Sequence, residues 1–243
     1  MIIDKDSILY NLPKEFGIKD LLILDSIRFT LELINSNYSS LKQEIQNITD
    51  NHKDPPKTYH KDLIPLFNHC WGIIDNSQRL INLYNLLPSN NNHSLVKDIL
   101  FIKGFRNTFQ HIDERIEECL LELDMPFYGM ISWEINLGRS NTMHKFFALS
   151  GLYISRGKLQ YYIEKKDLPY NKLNNVTLQT FVKKGRKPNI EFKKTEINLS
   201  DFIENIKLIV NKFEKHLEQI GEDLNIAKTD WVKRRDIVLR FDF

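Results

Sequence analysis

Arg106 and His111 stand five residues apart in the run Gly104-Phe105-Arg106-Asn107-Thr108-Phe109-Gln110-His111-Ile112-Asp113-Glu114-Arg115-Ile116. Arginine carries a permanent positive charge on a planar fork that fits anionic oxygens. Histidine gains and loses a proton near neutral pH. The residue types therefore offer an anion holder beside a proton carrier, with the amide of Asn107 directly between them in the chain.

Whether they act together depends on the element that carries them. Leu95, Ile99, Ile102, Phe105, Phe109, Ile112, Ile116, Cys119 and Leu123 recur at helical spacing, which predicts one long amphipathic helix over residues 94–123. On a wheel of ~100° per residue the apolar stripe centres near Phe105, Phe109 and Ile116. Arg106 and Asp113 fall at its edge, and Asn107, His111, Glu114 and Glu118 cluster on the far side. His111 then points away from its own core, with Glu114 three residues on and within reach. Five residues amount to ~140° of rotation, so an ideal helix does not bring Arg106 and His111 together. A swing of the long arginine, or a loosened turn at Gly104, would be needed.

The run resembles the Arg-x-x-x-x-His motif of HEPN domains (higher eukaryotes and prokaryotes nucleotide-binding), with Asn107 as the polar residue after the arginine. The resemblance implies a helical bundle whose paired motifs meet across a homodimer groove. It also implies a metal-independent endoribonuclease of a toxin or phage-defence system, with RNA as substrate, an antitoxin protein as partner and no cofactor. In such a site Arg106 would hold the scissile phosphate as charge builds. His111 would transfer a proton at the attacking ribose 2′-hydroxyl or the leaving oxygen. Asn107 would orient one of them, supported by Glu114 and Asp75.

The residues alone also allow a different class: a non-catalytic interaction or ligand-binding protein. In it Arg106 pairs with Asp113 or with Asp75 of the second helix, and His111 is solvated beside Glu114 and Glu118. Asp75 and Arg79, four apart, can form a helix salt bridge. His69 beside Cys70 suggests a metal, but adjacent helical residues point to different faces and no second ligand pair has zinc spacing. The chain has neither a glycine-rich phosphate loop nor a Gly-x-Ser-x-Gly elbow. Lys183, Lys184, Arg186 and Lys187, with Lys233-Arg234-Arg235, are the local basic patches that could guide a polyanion.

The other elements follow from periodicity. Leu21 to Ile48 predicts a first helix over 18–48, broken by Pro55-Pro56. A second helix is predicted over 58–86, with Pro65 either kinking it or marking a late start. From Pro126 to Ile197 the pattern changes to short strands: 130–136, 145–155 and 158–164, then a hairpin of 177–182 with 189–192. Ser200 is the expected N-cap of a last helix, stopping at Gly221, and 231–243 reads as a tail or final strand. These elements predict a mainly α chain with a β insertion (α+β). An antiparallel four-helix bundle occupies 1–125 and 199–228, the β-rich insertion 126–198 and the tail 229–243.

The bulk numbers add limits. The net charge of +2 over 243 residues gives no general attraction to nucleic acid, so any basic surface is local. The two cysteines, Cys70 and Cys119, lie among apolar neighbours and read as buried thiols. No apolar run approaches the ~20 residues that cross a bilayer, so a cytoplasmic protein with no membrane partner is expected.

Overall fold

A computed structural model describes residues 1–13, 16–50, 62–88, 92–114, 128–137, 143–150, 172–185, 191–224, 231–233 and 240. In chain order these form β1 (Asn11–Pro13), α1 (Ile18–Asp50), α2 (Ile64–Tyr84), α3 (Asn92–Val96), α4 (Ile102–Gln110), β2 (Met130–Asn136), β3 (Met143–Leu149), β4 (Leu173–Lys184), β5 (Glu191–Asn198), α5 (Leu199–Asp223) and β6 (Trp231–Lys233). The fold is mainly helical with an antiparallel four-stranded sheet, an α+β arrangement.

The apolar stripe of α1 is buried as its spacing demands: Ile27, Leu31, Ile34, Leu41 and Ile45 are fully inside. They pack along α2, whose Cys70, Ile73, Ile74 and Leu80 are equally buried. Burial pushes the Cys70 thiol well above the usual thiol range, since a thiolate there would lack solvation. Pro65 marks a late start to α2 and does not kink it, because it falls in the first turn where its missing N–H costs nothing.

The sheet runs β3-β2-β4-β5, with every neighbouring pair antiparallel. Central β2 is buried along its whole length. Its Ile131, Trp133 and Ile135 alternate onto one face and join the same apolar cluster as Ile27, Leu31 and Ile74. Trp133 Nε1 also donates to Thr49 Oγ1 at 3.1 Å, docking the sheet on the end of α1. The β-rich stretch therefore shares the helical core. Short strand β1 pairs with β6, Leu12 opposite Val232, so the C-terminal segment is tied to the N-terminal one.

Three expectations are corrected. The helix predicted over 94–123 is not continuous. After α3 come a 3₁₀ turn at Lys97–Ile99 and an interruption at Leu100-Phe101, then α4. His111 breaks the helix again before 112–114, and 115–123 lie outside the described residues. Apolar periodicity survives such breaks, because 3₁₀ and turn residues advance by about 120° each, close to the ~100° of an α-helix, and leave the buried face nearly in phase. The last helix begins at Leu199, with Asn198 as its cap in place of Ser200. The Asn198 side chain accepts from the N–H groups of Ser200 and Asp201 at 3.0 and 3.3 Å, and the helix runs past Gly221 to Asp223. Strands β4 and β5 are longer than predicted because they pair with each other from Thr177 opposite Asn198 to Lys184 opposite Glu191. The strand expected over 158–164 lies outside the described residues.

Candidate functional site

α4 is fixed between the sheet and α2. On the sheet side Gly104 meets Val182 so closely that a Cβ there would stand 2.7 Å from Val182 Cγ1. One turn on, the Thr108 hydroxyl donates to the Phe181 carbonyl at 2.7 Å. On the other side Phe109 stacks on Trp71 of α2, with ring centroids 4.5 Å apart and planes within 11°. Phe109 was expected as core. It is 41 % exposed and forms a wall instead.

The same face carries a charged cluster. Asp75 Oδ1 accepts from Arg106 Nε and from Gln110 Nε2, both at 3.1 Å, and its Oδ2 lies 3.4 Å from an Arg79 guanidinium nitrogen. Two permanent cations share one carboxylate, so the cluster keeps a surplus positive charge. Arg106 and Gln110 are four residues apart, which places both on one helix face. Gln110 was overlooked as a site residue although that spacing made it legible.

His111 belongs to the same run but not to this cluster. It sits at the end of α4 with φ −106° and ψ 43°, and its N–H donates to the Asn107 carbonyl at 3.1 Å. Its ring is 50 % exposed and pairs through Nδ1 with Glu114 Oε1 at 3.3 Å. Asn107 is half-buried on the intervening turn. Of the expected residues, the fold thus joins Arg106 with Asp75 and His111 with Glu114. Among the described residues no hydrogen bond or ion pair links Arg106 to His111.

A cavity of about 830 Å³ opens beside Arg106. Ile64, Phe67, Trp71, Ile74 and Phe109 make its apolar walls, and Asn68, Asp75, Arg106, Gln110, Tyr128 and Ser150 its polar ones. Its aromatic part was missed because Trp71 and Phe109 carry the same apolar signature as core residues. Trp71 is only 5 % exposed, and among the described residues its buried indole N–H has no hydrogen-bond partner.

Lys183 and Lys184 end β4, and Arg186 and Lys187 lie outside the described residues. Register adds what sequence distance concealed: exposed Lys194 and Lys193 of β5 stand opposite Phe181 and Val182, next to the segment that carries α4. His69, considered above as a metal ligand, instead has Nδ1 3.2 Å from Asn37 Oδ1. Among the described residues no helix is long and apolar enough to cross a membrane. No protein-family model, curated protein or solved structure matches this chain.

Proposed function

We propose that this protein is a HEPN-like endoribonuclease that cleaves RNA without a metal, using Arg106 and His111. The observation that carries the reading is the surplus positive charge where Arg106 and Arg79 share Asp75, on the helix that ends at a half-exposed histidine. Among the described residues Arg106 bonds Asp75 through Nε alone, so its two terminal nitrogens remain to hold a phosphate. His111 takes the proton of the ribose 2′-hydroxyl as that oxygen attacks the neighbouring phosphorus. The bond to the 5′-oxygen breaks, which leaves a 2′,3′-cyclic phosphate, and the leaving oxygen takes a proton from water while His111 later gives up its own to solvent. Glu114, paired with Nδ1, orients the ring.

The reading includes an antiparallel bundle formed by α1, α2, α4 and α5, and a homodimer in which each copy faces the other's motif. Exposed groups at the rim of the cavity flank that face, Ile64 at 67 % and Tyr128 at 40 %, and a second copy would cover them. It also takes the basic end of the β4–β5 hairpin as an RNA contact, and the protein as a cytoplasmic toxin or phage-defence effector held in check by an antitoxin.

The test is incubation of the purified protein with mixed single-stranded RNA in the presence of a chelator. Cleavage should fall at least ~100-fold in His111→Ala and in Arg106→Ala, the loss typical of removing a proton-transfer group or a charge stabiliser. Both variants should melt near the parent temperature. Wild-type cleavage by both variants would refute the assignment.

The separate partners of Arg106 and His111 favour a second reading, a non-catalytic ligand-binding bundle with a degenerate motif. It requires silent RNA assays and a monomer on a sizing column.

A further inference from the structure

We infer that the cavity beside Arg106 is a seat for one unpaired nucleotide, its base against the Trp71–Phe109 stack and its phosphate on the Arg106 guanidinium. The inference rests on the phosphate role proposed above for Arg106 and names the ligand unit that this residue would share.

Size comes first. About 830 Å³ lies within the range of roughly 300–1,000 Å³ found for small-molecule sites. The polar wall then restricts the chemistry. Asp75 already accepts from three donors, Arg106, Gln110 and Arg79, so it offers a ligand little further acceptor capacity. The other polar groups that line the cavity are led by the Arg106 guanidinium, a permanent cation bonded to Asp75 through Nε, with the amides of Gln110 and Asn68 beside it. Such a wall selects a ligand with acceptors and negative charge. The opposite requirement comes from the stacked rings, 4.5 Å apart and nearly parallel, with Phe109 41 % exposed at the cavity wall. They favour a flat ring system, because π-faces stack on one another with little regard to the identity of the base.

A ligand that is purely apolar would strip water from the guanidinium, which Asp75 meets through Nε alone among the described residues, and offer it nothing in return. A bare anion would leave the aromatic wall wet. A ring bearing carbonyl or ring-nitrogen acceptors and joined to a phosphate satisfies both walls. A free mononucleotide and an unpaired nucleotide within a strand share that chemistry.

Isothermal titration of the full chain separates these sources. The ligands are adenosine monophosphate, guanosine monophosphate, the nucleoside adenosine, ribose 5-phosphate, inorganic phosphate, a single-stranded octaribonucleotide and the same sequence as a duplex. Either a mononucleotide or the single strand should bind, and ribose 5-phosphate, phosphate and duplex at least about tenfold more weakly. Phe109→Ala should weaken binding about 10- to 100-fold by removing one stacking ring. Phe109→Leu, which keeps bulk without the ring, should do the same, so loss of fold is not the cause. Arg106→Gln should weaken the mononucleotide and leave the weaker binding of the nucleoside unchanged. A preference for the single strand with no mononucleotide binding still supports the seat and assigns it to RNA.

Binding of ribose 5-phosphate as tight as that of the mononucleotides overturns the inference. So does wild-type affinity in both Phe109 variants, or no binding by any ligand. These outcomes are independent of the cleavage assay. His111-dependent cleavage with no Phe109-dependent binding removes the seat and leaves the nuclease. Nucleotide binding without cleavage does the reverse.

Discussion

A single methyl group added at Gly104 tests whether the motif helix is set by direct approach to the sheet. In Gly104→Ala that methyl would stand 2.7 Å from Val182 Cγ1, against about 3.5–4.0 Å for two carbons in contact. Something must therefore move by about 1 Å. The helix is not free to lift, because Thr108 holds the Phe181 carbonyl at 2.7 Å one turn further on. Val182 is 8 % exposed and β-branched, so it cannot rotate away cheaply. Overpacking of this kind costs about 1–3 kcal/mol, while alanine for glycine in a helix recovers about 1 kcal/mol. The single variant should lose about 0–2 kcal/mol. Val182→Ala alone should lose about 1.5–2 kcal/mol from two buried methyl groups. In the double variant the clash is absent and the helix gain is kept, which leaves a loss of about 0.5–1 kcal/mol. The two substitutions should thus couple by about 1–3 kcal/mol. Urea unfolding followed by circular dichroism gives all four free energies. Additivity within about 0.5 kcal/mol would show that the two residues do not touch, and the account of how α4 is positioned would fail.

Two further outcomes follow from buried charge. Glu134 is almost wholly inside the sheet, 3.3 Å from Lys145 Nζ and 2.6 Å from Asn175 Nδ2. Lys145→Met should cost about 2–4 kcal/mol by leaving a buried carboxylate short of its cation, and adding Glu134→Gln should restore most of it. Equal unfolding midpoints for Lys145→Met and the parent would contradict this. Glu214 of α5 is half-buried, and burial raises its carboxyl above the usual range. The Ser7 hydroxyl that donates to it opposes the shift, and Asp4 and Glu218 add to it. The folded chain therefore binds this proton more tightly than the unfolded chain. The stability involved is complete below the ordinary glutamate range and declines as pH rises through the raised value. Glu214→Gln should flatten that decline in midpoints measured between about pH 4 and 7. The same slope in both proteins would show that Glu214 is not its source.

Much of this architecture was readable from local pattern. The span of α1, the late start of α2 at Pro65, the β4–β5 hairpin and the exposed His111 beside Glu114 all follow from spacings of a few residues. Helical hydrogen bonds and strand alternation reach no further than that. The partner of Arg106 was narrowed to Asp75 or Asp113, since a stripe-edge arginine must meet a carboxylate either on its own helix or on the next.

What closes the site is set by contacts across long stretches of chain. Arg106 and Asp75 are 31 residues apart, Thr108 and Phe181 73, and Trp133 and Thr49 84. The break at His111, the buried Trp71 indole and the cavity wall made by Phe109 depend on which surfaces meet. An apolar residue in the sequence states only that it seeks cover. Packing decides whether a helix, a strand or the edge of a cavity provides it.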